Sequence, residues 1–517
     1  MSGLLHQLIA QQARHSPDAV ALQEKQRTLT YASLNDELER VSGGLIRAGL
    51  ERDDRVAIFL PKQLETVIAM FATSHAGGVF VPINPQLKPA QVRHILTDCD
   101  VRILVTSAQR LQALDEVIDA CPALETIVLT DEHTGQADQR IVDWQTVAAA
   151  SAGGRRRIDM DLAALLYTSG STGRPKGVML SQRNMVCGAH SVAEYLHNEP
   201  ADRLLTVLPF SFDYGLSQLT TAFAVGATVV LFDYLLPRDV VRAVAREEIT
   251  GLAGVPPLWN QLAQLEWPGE LSLRYITNSG GAMPVPTLDT LRQKLPDTDV
   301  YLMYGLTEAF RSTYLDPGEV ERRPGSMGKA IPNAEVVVVR PDGTLCNADE
   351  PGELVHRGSL VSLGYWNDPE KTSQRFRPAP QQLPGSTLTE LAVWSGDTVK
   401  RDAEGFLYFV GRTDEMIKTS GFRVSPAEVE EILSTAPGVV EAAAVGVGHP
   451  DLGQAIVAAI TGDCNVDEVL ATCRREMPSY MVPAHIELAD SLPRNPNGKI
   501  DRPALASRYR TLFEQNS

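Results

Sequence analysis

Short apolar segments rich in β-branched residues alternate with helical patterns along much of the chain. Residues 56–60 and 79–83 are two such segments, and a helical pattern over about residues 64 to 76 separates them. Continuous apolar strands between helices are typical of parallel sheets that are covered on both faces. The alternation therefore predicts an α/β fold, and it recurs at residues 102–106, 126–130 and 227–232.

The pattern changes near Glu335, where apolar runs on either side of Pro341-Asp342-Gly343 indicate antiparallel strands. It restarts after Asp414 as a compact strand–helix–strand unit, whose helix is predicted to follow the N-cap Ser425, with Glu428 three residues later. We therefore predict a large N-terminal domain over residues 1–413, made of stacked α/β subdomains and a β-rich subdomain. A small, mobile α+β domain is predicted over residues 414–517.

The composition excludes several classes of protein. The chain carries 47 basic and 64 acidic side chains, a formal net charge of −17, which argues against nucleic-acid binding because that needs clustered Lys and Arg. No apolar run reaches the ~18–20 residues of a membrane span, and the N-terminus lacks a signal-peptide pattern. The six cysteines show no metal-ligand spacing and no disulfide framework, so a cytoplasmic location is expected.

A loop crowded with glycines and hydroxyls follows the apolar residues 165–167. It contains Thr168, Ser169, Gly170, Ser171, Thr172, Gly173 and Lys176. Glycines let the backbone approach a ligand closely, so that amide groups can converge on phosphate oxygens, while Lys176 adds a positive charge. The loop is not a Walker A motif, because Lys176 is followed by Gly177 rather than by Ser or Thr. The sequence therefore predicts a phosphate-binding loop of another kind.

The segment YTSGSTGRPKGVMLSQRN resembles the phosphate loop of the adenylate-forming superfamily, which comprises acyl-CoA synthetases, peptide-synthetase adenylation domains and firefly-type luciferases. Further landmarks follow in that family's order: YGLTE at 304–308, WSGD at 394–397, GRTD at 411–414, IKTSGFR at 417–423 and NGKI at 497–500. The chain is most similar to free-standing AMP-forming acyl-CoA ligases, in particular a subgroup from exosortase-associated clusters. The resemblance implies an ATP-dependent ligase that adenylates a carboxylic acid and transfers the acyl group to a thiol.

The resemblance also implies roles in nucleotide binding. Tyr304 is expected to stack on adenine, Thr307 to hydrogen-bond the α-phosphate, and Glu308 to hold Mg²⁺, a cation that takes one or two carboxylates together with phosphate oxygens and water. Asp397, assisted by Arg412, is expected to bind the ribose hydroxyls. The implied nucleotide site is completed by the glycine-rich loop with Gly280, Gly281, Gly305 and Leu306.

The small domain carries residues implied for both half-reactions. Lys499, in a turn-rich loop, is expected to stabilise the negative charge that builds up on the α-phosphoryl group. Asp414 occupies the hinge position of the family, about which the domain would rotate between adenylation and thiol transfer. After rotation Lys418, Ser420 and Gly421 would line the approach of the thiol, which belongs to coenzyme A or to the phosphopantetheine of an acyl or peptidyl carrier protein.

The substrate, a small carboxylic or amino acid, is expected beside a cluster of polar and aromatic residues. These are Phe212, Asp213, Tyr214 and Ser217, with Asn278 and Ser279 on the opposite wall. A buried Asp213 is costly unless it is paired, and either a substrate ammonium or neighbouring backbone and hydroxyl groups would satisfy it.

Three alternatives to an acyl-CoA ligase stay open. They are a stand-alone amino-acid adenylation enzyme that loads a carrier protein, a luciferase-like oxidase, and a non-catalytic ATP-binding module. Leu306 favours the acyl-CoA ligase, since peptide-synthetase modules usually have Pro there, and the presence of both Glu308 and Lys499 argues against a non-catalytic module.

Overall fold

The computed structural model describes residues 3–132, 138–168, 175–412, 416–494 and 500–513. Within these ranges the strands form four sheets, two of which are mostly parallel. The predicted α/β class is therefore confirmed. The hinge lies outside the described residues, so the boundary between residues 413 and 414 stays a prediction.

The first parallel sheet has nine strands and contains the YGLTE segment at the end of one of them. In spatial order the strands are Lys329–Ala330, Thr313–Leu315, Asp299–Tyr304, Tyr275–Asn278, Gly251–Gly254, Arg203–Thr206, Thr228–Leu231, Val20–Glu24 and Arg27–Thr30. The strands from Asp299–Tyr304 to Val20–Glu24 pair in parallel, and those at both edges are antiparallel. Every residue of Thr228–Leu231 is buried, as expected of a strand covered on both faces.

The second parallel sheet has seven strands and ends in the pair that flanks the glycine-rich loop. The strands in spatial order are Ile141–Asp143, Thr126–Leu129, Val101–Thr106, Arg55–Phe59, Val79–Pro82, Leu162–Thr168 and Lys176–Ser181. The last two pair antiparallel, with Thr168 opposite Lys176. The loop between them is therefore held at both ends by the sheet, although residues 169–174 lie outside the described part of the chain.

The other two sheets are largely antiparallel. Strands Ala334–Val339, Gly352–Gly358, Leu391–Arg401 and Phe376–Pro378 form one, and Leu407–Arg412 pairs with Leu391–Arg401. Strands Phe422–Val424, Ile417–Thr419, Gly453–Gly462 and Val439–His449 form the sheet of the small domain, and His485–Leu488 adds to Gly453–Gly462 in parallel. The predicted β-rich subdomain and the predicted α+β domain are thus both present.

Helices cover the parallel sheets and pack on both faces of the small sheet. The α-helices are Leu5–His15, Tyr31–Arg47, Leu64–Ala76, Pro89–Asp98, Ala108–Gln112, Asp115–Ile118, Trp144–Ala148, Gln182–Tyr195, Asp213–Val225, Pro237–Arg246, Pro256–Ala263, Val285–Lys294, Pro369–Arg375, Pro426–Leu433, Val466–Glu476 and Arg502–Arg508. Short 3₁₀ helices span Thr307–Ala309, Pro317–Glu319 and Ser479–Met481. Over the described residues, none of the helices combines the length and the apolar character needed to cross a membrane.

The helix Pro426–Leu433 of the small domain lacks the capping hydrogen bonds that the sequence predicts. It begins at Pro426 with Ser425 in the N-cap position, yet the Ser425 side chain caps no backbone amide. The Glu428 side chain is buried and lines a cavity between the two domains. The predicted capping box is therefore wrong, because tertiary packing directs Glu428 away from the helix terminus.

Two histidines pack against each other in the core of the large domain. His6 and His75 come from the helices Leu5–His15 and Leu64–Ala76, and their ring centroids lie 4.6 Å apart. Burial lowers the pKa of His6 to about 3, helped by the neighbouring His75 and Arg157. Burial lowers the pKa of His75 as well. Both rings are therefore neutral near pH 7.

We expect the fold to lose stability as the pH falls below 6.5, because the unfolded His6 takes up a proton that the folded side chain does not. The loss of unfolding free energy from one such group approaches about 1.4 kcal/mol per pH unit between the unfolded and the folded pKa. Denaturant unfolding between pH 7 and pH 4 should therefore give a shallower pH slope for His6→Gln than for the wild type. His15→Gln, at an exposed position of the same helix, is the control, and equal slopes for His6→Gln and the wild type would contradict the assignment.

Candidate active site

The two parallel sheets direct their carboxyl ends at one cavity. Ser279 and Gly280 follow the strand Tyr275–Asn278, and Gly305 follows Asp299–Tyr304, while Thr168 ends a strand of the seven-stranded sheet. The cavity has a volume of about 150 Å³. Crevices at the carboxyl ends of parallel strands are the usual ligand sites of α/β folds. Both sheets therefore place the predicted nucleotide and acid residues around the same space.

A buried carboxylate lines this cavity. Glu308 is 3% exposed, and its Oε1 accepts a hydrogen bond of 2.6 Å from the Tyr365 hydroxyl. The Lys176 ammonium lies 4.0 Å from the same oxygen and 3.8 Å from the centroid of the Tyr365 ring. Tyr365 thus holds an anion and a cation side by side.

The surrounding charges keep Glu308 ionised. Burial raises the pKa of its carboxyl, but the cations of Arg375, Lys176 and Arg423 more than offset this, so that its pKa is about 2. Burial lowers the pKa of Lys176 to about 8, although Glu308 opposes the shift. At pH 7 Glu308 is therefore a fixed carboxylate with several cations acting on it, an arrangement suited to polyphosphate and its metal.

The carboxylate also fits the predicted magnesium role. The described residues contain no group of three or more His, Cys, Asp or Glu side chains that could cage a metal ion. Mg²⁺ needs no such cage, because it takes one or two protein carboxylates and completes its shell with phosphate oxygens and water. Glu308 alone therefore matches the donor set that a nucleotide-bound Mg²⁺ requires.

The predicted adenine and ribose residues are in direct contact. The Tyr304 hydroxyl donates a hydrogen bond to Asp397, which is buried in the strand Leu391–Arg401. Behind Tyr304, the ring of His356 lies nearly parallel at a centroid distance of 6.0 Å. The backbone of Arg412 pairs with that of Asp397 across two strands, while the Arg412 side chain lies outside the described atoms. The structure thus brings Tyr304 and Asp397 into contact, and their roles toward adenine and ribose stay predictions.

A short turn with a strained residue, Phe310, places Thr307, Glu308 and Arg311 on the wall of the cavity. Thr307 and Glu308 lie in the 3₁₀ helix Thr307–Ala309, and Phe310, which caps this helix, has a φ of 54° that is rare for a bulky residue. Gly188 makes room for the Phe310 ring, since a Cβ there would lie 2.4 Å from it. The turn brings Arg311 to the same cavity as Thr307.

A substrate ammonium was one predicted partner of Asp213, but in the structure Arg311 lies beside this carboxylate. Its Nη1 lies 3.7 Å from Asp213 Oδ2, and the Thr307 hydroxyl lies 3.4 Å from Asp213 Oδ1. Both Asp213 and Arg311 are 4% exposed. Burial raises the pKa of Asp213, and Arg311 opposes that shift. Arg311, which belongs to no motif recognised in the sequence, is thus the partner within the protein that balances the charge of Asp213 when this carboxyl is ionised.

The other predicted pocket residues support this wall. Phe212 and Ser279 line the cavity, whereas Tyr214 and Ser217 lie behind Arg311. Asn278 is buried and donates a hydrogen bond of 2.9 Å to the carbonyl of Gly281. Asn278 therefore positions the glycine loop.

Residues 417–423 of the small domain, predicted to lie on the approach of the thiol, pack against the large domain. Ser420 and Gly421 both have positive φ, of 51° and 81°. A Cβ on Gly421 would lie 2.8 Å from Val255 Cγ2, so only glycine fits the close approach. Lys418, Gly421 and Phe422 all line the central cavity.

Some predicted site residues lie outside the described part of the chain. They are Ser169, Gly170, Ser171, Thr172, Gly173, Asp414 and Lys499. Conversely, the sequence analysis missed Arg311, Tyr365 and Arg375. Arg311 follows YGLTE by three positions, which is a usable signal, but Tyr365 and Arg375 belong to no motif that was recognised.

The comparisons with known proteins agree with this geometry. The model for AMP-binding enzymes matches residues 9–366, and the model for their C-terminal domain matches residues 428–499. The chain therefore belongs to the AMP-binding enzyme family.

Among its relatives, feruloyl-CoA synthase of an Amycolatopsis species is 32% identical over 96% of this chain and 97% of that protein. Bacitracin synthase 3 of Bacillus licheniformis is 29% identical over 99% of this chain. This chain spans only 8% of that synthase. The relatives thus include a CoA ligase of matching length and a much longer peptide synthetase.

Two solved structures of one enzyme share this fold. A double mutant of o-succinylbenzoate CoA synthetase from Bacillus subtilis, bound with a CoA product analogue, matches with a TM-score of 0.84 at 27% identity over 97% of this chain and 98% of that one. The same enzyme with its acyl-adenylate intermediate matches with a TM-score of 0.69 at 28% identity over 96% and 97% of the two chains.

We expect Tyr365→Phe to raise the Mg²⁺ concentration that gives half-maximal ATP–pyrophosphate exchange. Loss of the hydroxyl frees Glu308 to move toward Lys176, and a charge-assisted hydrogen bond of about 1.5 kcal/mol corresponds to roughly a tenfold change. Tyr408→Phe, which removes a tyrosine–carboxylate hydrogen bond to Asp402, is the matched control. An unchanged Mg²⁺ dependence in Tyr365→Phe would show that this contact does not hold the metal ligand.

Proposed function

We propose that this protein is an ATP-dependent, AMP-forming ligase that adenylates a carboxylic acid and passes the acyl group to a thiol, coenzyme A in the first instance. One observation supports this most: an ionised Glu308 shares a single cavity with Thr307, with Asp397 and with the glycine segment of the small domain. Residues predicted to bind the nucleotide, the acid and the incoming thiol substrate thus line one cavity, where both half-reactions would take place.

In the first half-reaction the chain's own groups bind and orient the nucleotide. Tyr304 and Asp397 would hold adenosine, and Lys176 with the glycine-rich loop would hold the phosphates. Glu308 would be the protein ligand of Mg²⁺, which when bound neutralises phosphate charge during displacement. Thr307 would donate to the α-phosphate, and Lys499 would stabilise the charge that develops there as the carboxylate attacks.

In the second half-reaction the small domain would present the thiol. The described arrangement supports this, because Gly421 reaches the cavity while its backbone touches Val255 of the large domain. The higher TM-score to the solved structure with a CoA product analogue than to the same enzyme with its acyl-adenylate points the same way. Rotation about Asp414 would then exchange Lys499 for Gly421 over one acyl group.

The reaction is tested by ATP–pyrophosphate exchange across a broad panel of carboxylic and amino acids. We expect Lys499→Ala to lower exchange by about a hundredfold or more, the usual effect of removing one group that stabilises transition-state charge. ATP binding and the melting temperature should stay unchanged. Lys25→Ala, at an exposed turn, is the control for loss of a surface lysine. Normal ATP binding by the wild type without exchange on any acid would instead indicate a non-catalytic module.

A substitution at Gly421 should slow acyl transfer to the thiol much more than adenylation of the acid. In Gly421→Ala the new Cβ meets Val255 and the residue keeps a positive φ, so the described domain arrangement becomes strained. We expect acyl transfer from a supplied acyl-adenylate to coenzyme A to fall at least tenfold, and pyrophosphate exchange to stay within about threefold. Gly343→Ala also has a positive φ but has open space around it, so it controls for backbone strain alone. Equal losses in both half-reactions would contradict the assignment of Gly421 to thiol transfer.

A further inference from the structure

The ion pair of Asp213 and Arg311 lines the cavity beside the residues predicted to bind the acid. The Arg311 guanidinium lies 4.5 Å from the centroid of the Tyr214 ring, and its Nη2 donates a hydrogen bond of 2.5 Å to Ser217 Oγ. Tyr214 is in turn fixed by a hydrogen bond of 2.5 Å between its hydroxyl and Thr277 Oγ1. Arg311 is therefore held in one orientation by neighbours that are themselves buried.

The pair is not saturated with hydrogen bonds. Arg311 Nη1 and Asp213 Oδ2 are 3.7 Å apart, which is longer than a hydrogen bond. Arg311 Nε is buried and has no hydrogen-bond partner within the described ranges. Both side chains line the cavity. Arg311 Nη1 and Asp213 Oδ2 thus make no hydrogen bond to each other although their side chains line the space where the acid would lie, and buried polar groups are rarely left in that state.

The pair also lies close to the reacting end of the substrate. The Thr307 hydroxyl, which the proposed function assigns to the α-phosphate, is 3.4 Å from Asp213 Oδ1. A carboxylate that attacks the α-phosphorus must approach Thr307. A substituent near that carboxylate would therefore meet Asp213 and Arg311 directly.

We propose that the enzyme selects acids that carry an uncharged hydroxyl or carboxamide group near the reacting carboxylate, through the juxtaposition of Asp213 and Arg311. This rests on the proposed function, since it names the substrate class of the same site. The substituent would donate a hydrogen bond to Asp213 and accept one from Arg311.

The net charge of the Asp213–Arg311 pair disfavours acids that carry a second charged group. Asp213 and Arg311 cancel each other, so an ammonium would add an unpaired cation beside Arg311, and a second carboxylate would add an unpaired anion beside Asp213. Unpaired buried charge is strongly unfavourable. An apolar substituent would leave the open donor and acceptor unsatisfied, and sites built for hydrogen bonding reject such analogues.

The test uses pyrophosphate exchange with two series of acids, and the acids within a series have the same number and branching of non-hydrogen atoms. One series is 3-hydroxybutanoate, 3-methylbutanoate and 3-aminobutanoate. The second is succinamate, 4-methylpentanoate, 4-aminopentanoate and succinate. In at least one series we expect the hydroxyl or carboxamide acid to exceed each of its isosteres at least tenfold in kcat/KM. A smaller ratio in both series overturns the inference.

Two variants test whether the ion pair causes the preference. Arg311→Met leaves the charge of Asp213 unbalanced, so we expect the preference to move at least tenfold toward 3-aminobutanoate. Asp213→Asn leaves Arg311 unbalanced, so we expect it to move at least tenfold toward succinate. Arg246→Met, at an exposed arginine, should leave all the ratios unchanged. Wild-type ratios in both pocket variants overturn the assignment, and the wild-type panel decides the matter even if a variant does not fold.

Failure of this inference is distinguishable from failure of the proposed function. If the hydroxyl and carboxamide acids give no exchange while octanoate or ferulate does, the substrate class is wrong and the ligase reaction stands. If no acid of any class gives exchange although ATP binds, both are wrong.

Discussion

The arrangement of the active site depends on one buried carboxylate. Glu308 stays ionised inside the protein only because side chains from separate parts of the chain converge on it: Lys176 from the seven-stranded sheet, and Tyr365 and Arg375 from around the β-rich subdomain. An anion buried without such partners would be strongly destabilising, and the cations around it would repel one another without the anion. The mutual orientation of these elements is therefore tied to the charge that is proposed to hold Mg²⁺.

A second buried carboxylate, Asp213, also lines the cavity beside a cation, but its surroundings differ from those of Glu308. Around Glu308 the cations outnumber the anion, which suits a polyphosphate, whereas Asp213 and Arg311 cancel each other, which suits an uncharged substituent. The net charge of −17 carries no information about the surroundings of either carboxylate. Ligand recognition here depends on local charge carried by buried side chains, where electrostatic interactions are stronger than in water.

Backbone geometry decides how closely the parts of the site approach each other. Phe310 adopts a positive φ so that Thr307, Glu308 and Arg311 reach one cavity from a single short turn. Gly421 lets the small domain touch Val255, a contact that any side chain would prevent. The strained Phe310 and the closely packed Gly421 lie in the two segments that are proposed to act on the nucleotide and on the thiol. Backbone strain and close packing are often found at functional sites.

The sequence by itself determined the α/β class, the two-domain composition and the order of the nucleotide motifs, because strand and helix periodicity and glycine-rich loops are local properties of the chain. It left open what pairs with Asp213, and its capping box at Ser425 and Glu428 was wrong. Only the tertiary structure decided that Arg311 faces Asp213, that Arg311 is anchored to Ser217 across 94 positions, and that Tyr365 holds Glu308 across 57 positions. Such contacts join residues far apart in sequence, so no local pattern encodes them, and they form only when separate strands and turns pack around one cavity.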